Sequence, residues 1–169
     1  AYADVVRNGK PVELDEIFRQ ARESKIIVSA HAINEGELPD LTHPKEGLSD
    51  FYFIEQEDPE RVLELIIEMV KDRIPNRFGF DPVDDVQVLT PMHKGVVGAG
   101  NLNERLQAEL NPQPVALRRG NRTFRQGDKV MQIRNNYEKD IYNGDIGRIL
   151  SIDEDERLVW VQFDGREVD

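Results

Sequence analysis

Residues 124–149 read FRQGDKVMQIRNNYEKDIYNGDIGRI, and this stretch decides the architecture of the C-terminal part of the chain. Lys129 to Arg134 alternates in polarity, which predicts a half-buried strand. Asn143-Gly144 is a hairpin-type turn signal. Downstream, Ile146 to Ile152 and Leu158 to Phe163 are strand runs separated by the acidic turn Asp153-Glu154-Asp155-Glu156. Asp164-Gly165 is another turn, and Val168 begins a further strand. Gly127, Gly144 and Gly147 are expected in turns. Short strands at close spacing without a helical period predict a small β-barrel. Only three or four strands are visible, so an incomplete barrel in a fragment of a longer protein is expected.

Upstream the pattern differs. Val12 to Leu14 is a short strand candidate, and Asp15 can cap a helix whose apolar positions include Ile26, Ile27, Ala30 and Ile33. Gly36 and Pro39 stop that helix, and residues 36–50 read as a loop. Phe51 to Glu55 is an aromatic, β-branched strand candidate. Asp58-Pro59-Glu60 is a helix start, with a carboxylate cap followed by proline where no amide donor is needed. Leu63, Ile66, Ile67, Val70 and Ile74 stripe that helix, and Pro75 is expected to end it. Val86 to Thr90 is the next strand candidate. After a loop holding Gly95, Gly98 and Gly100, Asn101 and Glu104 resemble a capping box for a helix striped by Leu102, Leu106 and Leu110. Alternating strands and helices predict an α/β layer with a parallel sheet. The change of character falls after Asn111-Pro112-Gln113-Pro114, giving domains at 1–117 and 118–169.

The chain has 169 residues, 33% of them charged, and a net charge of −11. The composition is that of a folded domain rather than a disordered segment. Its apolar runs fall far short of the roughly 20 residues that span a bilayer. With no cysteine, disulfides, cysteine-bound zinc and thiol catalysis are excluded, which fits a cytoplasmic protein. The charge is uneven. Residues 1–84 carry 10 basic and 19 acidic side chains, whereas residues 118–134 carry six basic side chains and one acid, Asp128. From charge alone, a solvated surface is the better reading.

No constellation of catalysis stands out. There is no G-x-x-x-x-G-K-[ST] phosphate loop, and the glycine-rich stretch at residues 95–100 lacks the lysine and hydroxyl that such a loop needs. His31, His43 and His93 have no metal-site spacing. A G-x-S-x-G nucleophile elbow is also absent.

Three segments are informative together: LDEIFRQ at residues 14–20, VLTPMHKG at 88–95 followed by NLNERLQ at 101–107, and the barrel stretch at 124–149. In this order they resemble the RecD-like DNA helicases of superfamily 1B, especially the long bacterial form, relatives of the exodeoxyribonuclease V α subunit. The resemblance covers nearly the whole chain. It implies part of the second RecA-like motor domain, called 2A, with an SH3-like insertion, called 2B, beginning near Arg118.

Several roles follow from that resemblance. LDEIFRQ looks like helicase motif IV. Arg19 would reach the γ-phosphate of ATP across the cleft between motor domains, and Gln20 would position that arginine or the nucleotide. A planar guanidinium suits the charge on a transferring phosphoryl group. The residues alone equally allow a helix-surface arginine paired with Glu16 or Glu23. The second segment looks like the family's motif IVa region. Thr90, His93 and Lys94 would contact the backbone of single-stranded DNA, with Asn101 and Asn103 beside them. Thr90 and Asn101 could instead cap a strand end and a helix. Tyr137 and Tyr142 could stack on a base or pack locally. ATP and magnesium would belong to the full-length parent and neither to this fragment, because the phosphate loop lies in the first motor domain. The expected parent is an ATP-dependent 5′-to-3′ helicase of recombination or repair, whose partners would be the first motor domain, single-stranded DNA and nuclease or repair proteins. The alternative is a non-enzymatic acidic α/β and SH3-like adaptor.

Overall fold

A computed structural model describes residues 24–42 and 47–169. The candidate strand at Val12 to Leu14, the cap Asp15, the motif residues Arg19 and Gln20, and His43 lie outside the described residues. The chain divides into two compact units, Ala1–Glu55 and Gln56–Asp169.

In the first unit, helix α1 spans Lys25–Asn34 and buries Ile27 and Ser29. Its N-terminus is capped from afar. The Asp50 carboxylate accepts the Lys25 N–H at 3.0 Å and the Ser24 hydroxyl, which answers donors that a helix start leaves open. These two bonds, the hydroxyl first, hold the Asp50 carboxyl below its ordinary value. The helix stops where the sequence predicts, with Gly36 at φ 83°. Phe51 to Glu55 belongs to no strand among the described residues. Tyr52, Phe53 and Ile54 are exposed.

The second unit opens with α2, Pro59–Glu68, whose cap Asp58 accepts the Glu60 N–H at 3.0 Å. Pro75 does not end the helical run. A π-helical turn, Met69–Arg73, precedes it, and α3 continues over Ile74–Phe78 with proline in its first turn. The widened turn accommodates a residue that has no amide donor and would clash in regular α geometry. Gly79, left-handed at φ 75°, is the real stop. Leu63 and Val70 are buried on this arm and Leu102 on α4, which spans Ala99–Leu110. Lys71 bonds Glu109 of α4 at 2.8 Å. The α4 start also departs from expectation. Gly98 is the N-cap residue, and Asn101 lies inside the first turn rather than capping it.

All paired strands among the described residues are antiparallel. A hairpin joins β1 (Leu117–Arg119) to β2 (Arg122–Phe124). A second sheet has the order β3-β4-β5-β6, with β3 at Lys129–Met131, β4 at Ile146–Asp153, β5 at Leu158–Phe163 and β6 at Arg166–Val168. The turns match the sequence reading: Asp164 and Gly165 take φ 39° and 79°, and Gly144 takes 99°. Gly147 does not serve a turn. It lies buried within β4, where Val161 and Phe163 of β5 leave no room for a side chain. Ile141, Ile149 and Phe163 form the buried core. Val86 to Thr90, expected as a parallel strand, belongs to no ladder among the described residues. Its alternate residues Val86, Val88 and Thr90 are half-buried while Leu89 is 86% exposed, so the period of two corresponds to one covered face.

Candidate nucleic-acid interface

The extended segment ends at Thr90, and residues 91–98 fold back to start α4. Internal bonds hold this loop. The Thr90 hydroxyl donates to Val97 O at 2.9 Å and accepts the Met92 N–H at 3.3 Å. Asn101 Nδ2 donates to Val96 O at 2.6 Å. Ala99 N–H reaches Met92 O at 2.8 Å, and Gly98 N–H reaches Gly95 O at 3.1 Å. Because these two amides donate within the loop, residues 95–100 do not form an open amide cradle for phosphate. That agrees with the absence of a lysine and hydroxyl from the glycine-rich stretch.

The five candidate residues thus divide by position. Thr90 and Asn101 are half-buried and bind the loop together. His93, Lys94 and Asn103 are exposed. Among the described residues, His93 and Lys94 have no side-chain hydrogen bond or ion pair, so both remain available for a ligand. A lysine on a rigid, exposed turn can neutralise a phosphate without reading sequence.

Gly98 fixes the height of that turn. A Cβ added there would sit 2.6 Å from the Lys94 carbonyl carbon and oxygen and 2.8 Å from its nitrogen. These are backbone atoms and cannot rotate aside. Gly98→Ala is therefore expected to open the loop at a cost of about 2 kcal/mol. Amide resonances between residues 90 and 101 should shift while those of β4 and β5 stay in place; unchanged resonances would show that the loop tolerates a methyl group.

A second polar centre went unnoticed in the sequence, although Asp128 is the lone acid in a basic stretch. Asp128 is only 8% exposed. Its carboxylate accepts Gln107 Nε2 at 2.6 Å, Asn111 Nδ2 at 2.7 Å and the Arg125 N–H at 2.8 Å. Gln107 also exchanges two 3.0 Å bonds with Thr123, and Asn111 Nδ2 donates to Gln126 O at 2.9 Å. The Arg125 guanidinium donates to Asn111 O at 2.5 Å, placing a cation at the negative C-terminal end of α4. Asp128 thereby ties α4 to the β2–β3 connection.

Two further contacts bind β3 and β4 to the segment before the loop. Arg148 grips both oxygens of Asp84 at 2.7 Å, and Lys129 donates to Val86 O at 3.1 Å. The Asp84 turn is itself organised by Asp81, whose Oδ1 accepts the Val83 and Asp84 N–H groups at 2.8 Å. Those backbone bonds, Asp84 first, hold the Asp81 carboxyl below its ordinary value. Tyr137 is 76% exposed and meets Tyr142 edge-on at 6.1 Å, so it is not a core residue.

Residues 102–163 match the SH3 domain of ATP-dependent RecD-like DNA helicases. The match begins within α4, the helix that Asp128 ties to the strands. The chain is also similar to the ATP-dependent RecD2 DNA helicase of Deinococcus radiodurans, at 35% identity over 158 residues, 94% of this chain. It spans only 20% of that protein. On the joint evidence of the SH3 domain and the similarity along nearly its whole length, the chain belongs to the RecD-like helicase family and represents a segment of such a protein.

Proposed function

We propose that this segment contributes part of the single-stranded DNA path of an ATP-dependent 5′-to-3′ DNA helicase acting in recombination or repair, related to the exodeoxyribonuclease V α subunit. The observation that carries the reading is the exposed pair His93 and Lys94 on a loop fixed by Thr90 and Asn101, in a chain of this family. Asn103 would extend the contact along α4. A motor must grip and release any sequence, and phosphate contacts from a rigid loop suit that task.

In this reading residues 1–117 are part of the second motor domain and residues 118–169 are its SH3-like insertion. Phe51 to Glu55 and Val86 to Thr90 would act as strands of a RecA-like parallel sheet in the parent, beside partners from the rest of the protein. Arg19 would stabilise the γ-phosphate of ATP bound with magnesium at the first motor domain, and Gln20 would orient it. This role rests on the LDEIFRQ resemblance. The fragment alone would not hydrolyse ATP, and the parent would work in the cytoplasm.

Lys94→Ala tests the DNA contact. With a fluorescent oligothymidine, loss of one phosphate contact should lower the slope of log affinity against log salt by about 0.7. An unchanged affinity and slope would remove Lys94 from the path.

A further inference from the structure

Lys129 of β3 and Arg148 of β4 are partners in the sheet register, so two cations stand directly opposite each other on one face. Like charges in that arrangement repel. Both are answered by one short piece of chain. Arg148 donates to both oxygens of Asp84 at 2.7 Å, and Lys129 donates to Val86 O at 3.1 Å. Arg148 Nε is itself aimed by a 3.2 Å bond to Gly127 O. A bidentate guanidinium–carboxylate pair fixes direction as well as distance. Asp81 lies in the same field: the N–H groups of Asp84 and Val83, and after them the charges of Arg148 and Lys129, hold its carboxyl below its ordinary value.

The Arg148–Asp84 pair is open to water, with side chains 41% and 58% exposed. An ion pair of that exposure adds little to stability. Its place along the chain is what distinguishes it. Val86 opens the segment that ends at Thr90, where the loop bearing His93 and Lys94 begins. On the other side of that loop, the 12 residues of α4 make a rod of about 18 Å. The far end of this rod is held to the β2–β3 connection through Asp128. Both flanks of the loop are thus fastened to the barrel, one by Arg148 and Lys129, the other by Asp128. Across the loop, the bonds from Ala99 N–H to Met92 O and from the Thr90 hydroxyl to Val97 O join the two flanks.

We propose that Arg148, with Lys129 beside it, is a positioning residue for nucleic-acid binding: by gripping Asp84 it sets where the loop presents His93 and Lys94. The barrel in this way orients a contact made by another part of the chain. The inference rests on the proposed DNA-binding role of that loop. A single tie at Asp128 would leave α4 and the loop free to swing about it, and the second tie removes that freedom. Asp84 also supplies a test by sign. Taking a negative charge out of a chain of net charge −11 should, by charge alone, strengthen binding to a polyanion. Loss of the brace should weaken it.

The test uses the 169-residue chain and a labelled oligothymidine at low salt, with amide resonances followed in parallel. The variants are Asp84→Ala and the charge exchange Asp84→Arg with Arg148→Asp, which keeps the net charge at −11. Asp84→Ala should move the amides of residues 91–98 and bind about fivefold more weakly. It should melt at nearly the same temperature, because an exposed pair contributes little stability. The exchange should bring loop amides and affinity back towards those of the unaltered chain. Unmoved loop amides with equal or tighter binding by Asp84→Ala, whatever its melting temperature, would overturn the brace and leave the Lys94 contact intact. Weaker binding with the loop amides in place would also overturn it, since Asp84 would then act by another route. An exchange variant that binds no better than Asp84→Ala would show that the charge pair does not set the loop. If the unaltered chain binds no oligothymidine, the DNA reading fails and the brace with it.

Discussion

Asp128→Ala is expected to destabilise the second unit by about 3 kcal/mol, measured by urea denaturation. The substitution strands Gln107 Nε2, Asn111 Nδ2 and the Arg125 N–H, all of which donate to this carboxylate. Bonds to a charged acceptor are worth roughly 1.5–3 kcal/mol each, and donors left buried cost more than donors that return to water. The three donors share one acceptor, so their losses will not add fully. Asp128→Asn keeps the volume but turns one acceptor into a donor facing donors, and should recover only part of the loss. Hydrogen exchange locates the effect. Amides of α4 should lose protection more than amides of β4 and β5, because α4 is attached to the strands through Asp128. Equal loss throughout would show a general weakening and no specific tie.

Gly147→Ala is the other large effect, again about 3 kcal/mol. A Cβ there would lie 2.6 Å from Val161 Cγ1, 2.7 Å from Phe163 Cδ1 and 2.8 Å from Gln162 O. The last is backbone, and Phe163 is 5% exposed, so neither can retreat without parting β4 from β5. Overpacking of this kind costs roughly 1–3 kcal/mol, and a central strand pair lies at the upper end of that range. A smaller side chain opposite should restore stability. Val161→Ala combined with Gly147→Ala is expected to be more stable than Gly147→Ala alone, and a double variant weaker than the single one would show that the strand backbone, not Val161, is the obstacle.

The fold was legible where a signal is local. Asp58-Pro59-Glu60 begins a helix, Gly36 ends one, and the turns at Asn143-Gly144 and Asp164-Gly165 depend on backbone conformations that few other residues adopt. The barrel strands follow from alternation over short runs. Misreadings arose where a residue's effect depends on distant partners. Phe51 to Glu55 has strand composition but lies in no strand among the described residues. Pro75 reads as a stop because a π-helical turn before it cannot be seen in the sequence. Gly147 reads as a turn glycine because the side chains of β5 that require its small size are more than ten positions away.

The candidate site shows the same division. The resemblance points to the loop around Lys94 as a candidate, since its residue types follow one another along the chain. Thr90 and Asn101, which the resemblance offers as DNA ligands, each donate to a loop carbonyl, Val97 O and Val96 O, and so also shape the loop. The cross-strand pairing of Lys129 and Arg148, and the gathering of Gln107, Asn111 and Arg125 around Asp128, depend on register and packing. Composition registers only that the stretch is basic and contains one acid.

Titrating the isotopically labelled chain with a short oligothymidine at low salt, with amide resonances followed residue by residue, tests the DNA-binding account most directly. The account predicts salt-sensitive shifts clustered at His93, Lys94 and Asn103, with smaller shifts at Thr90 and Asn101, whose side chains hold the loop. A folded chain with no shifts in this loop would contradict it.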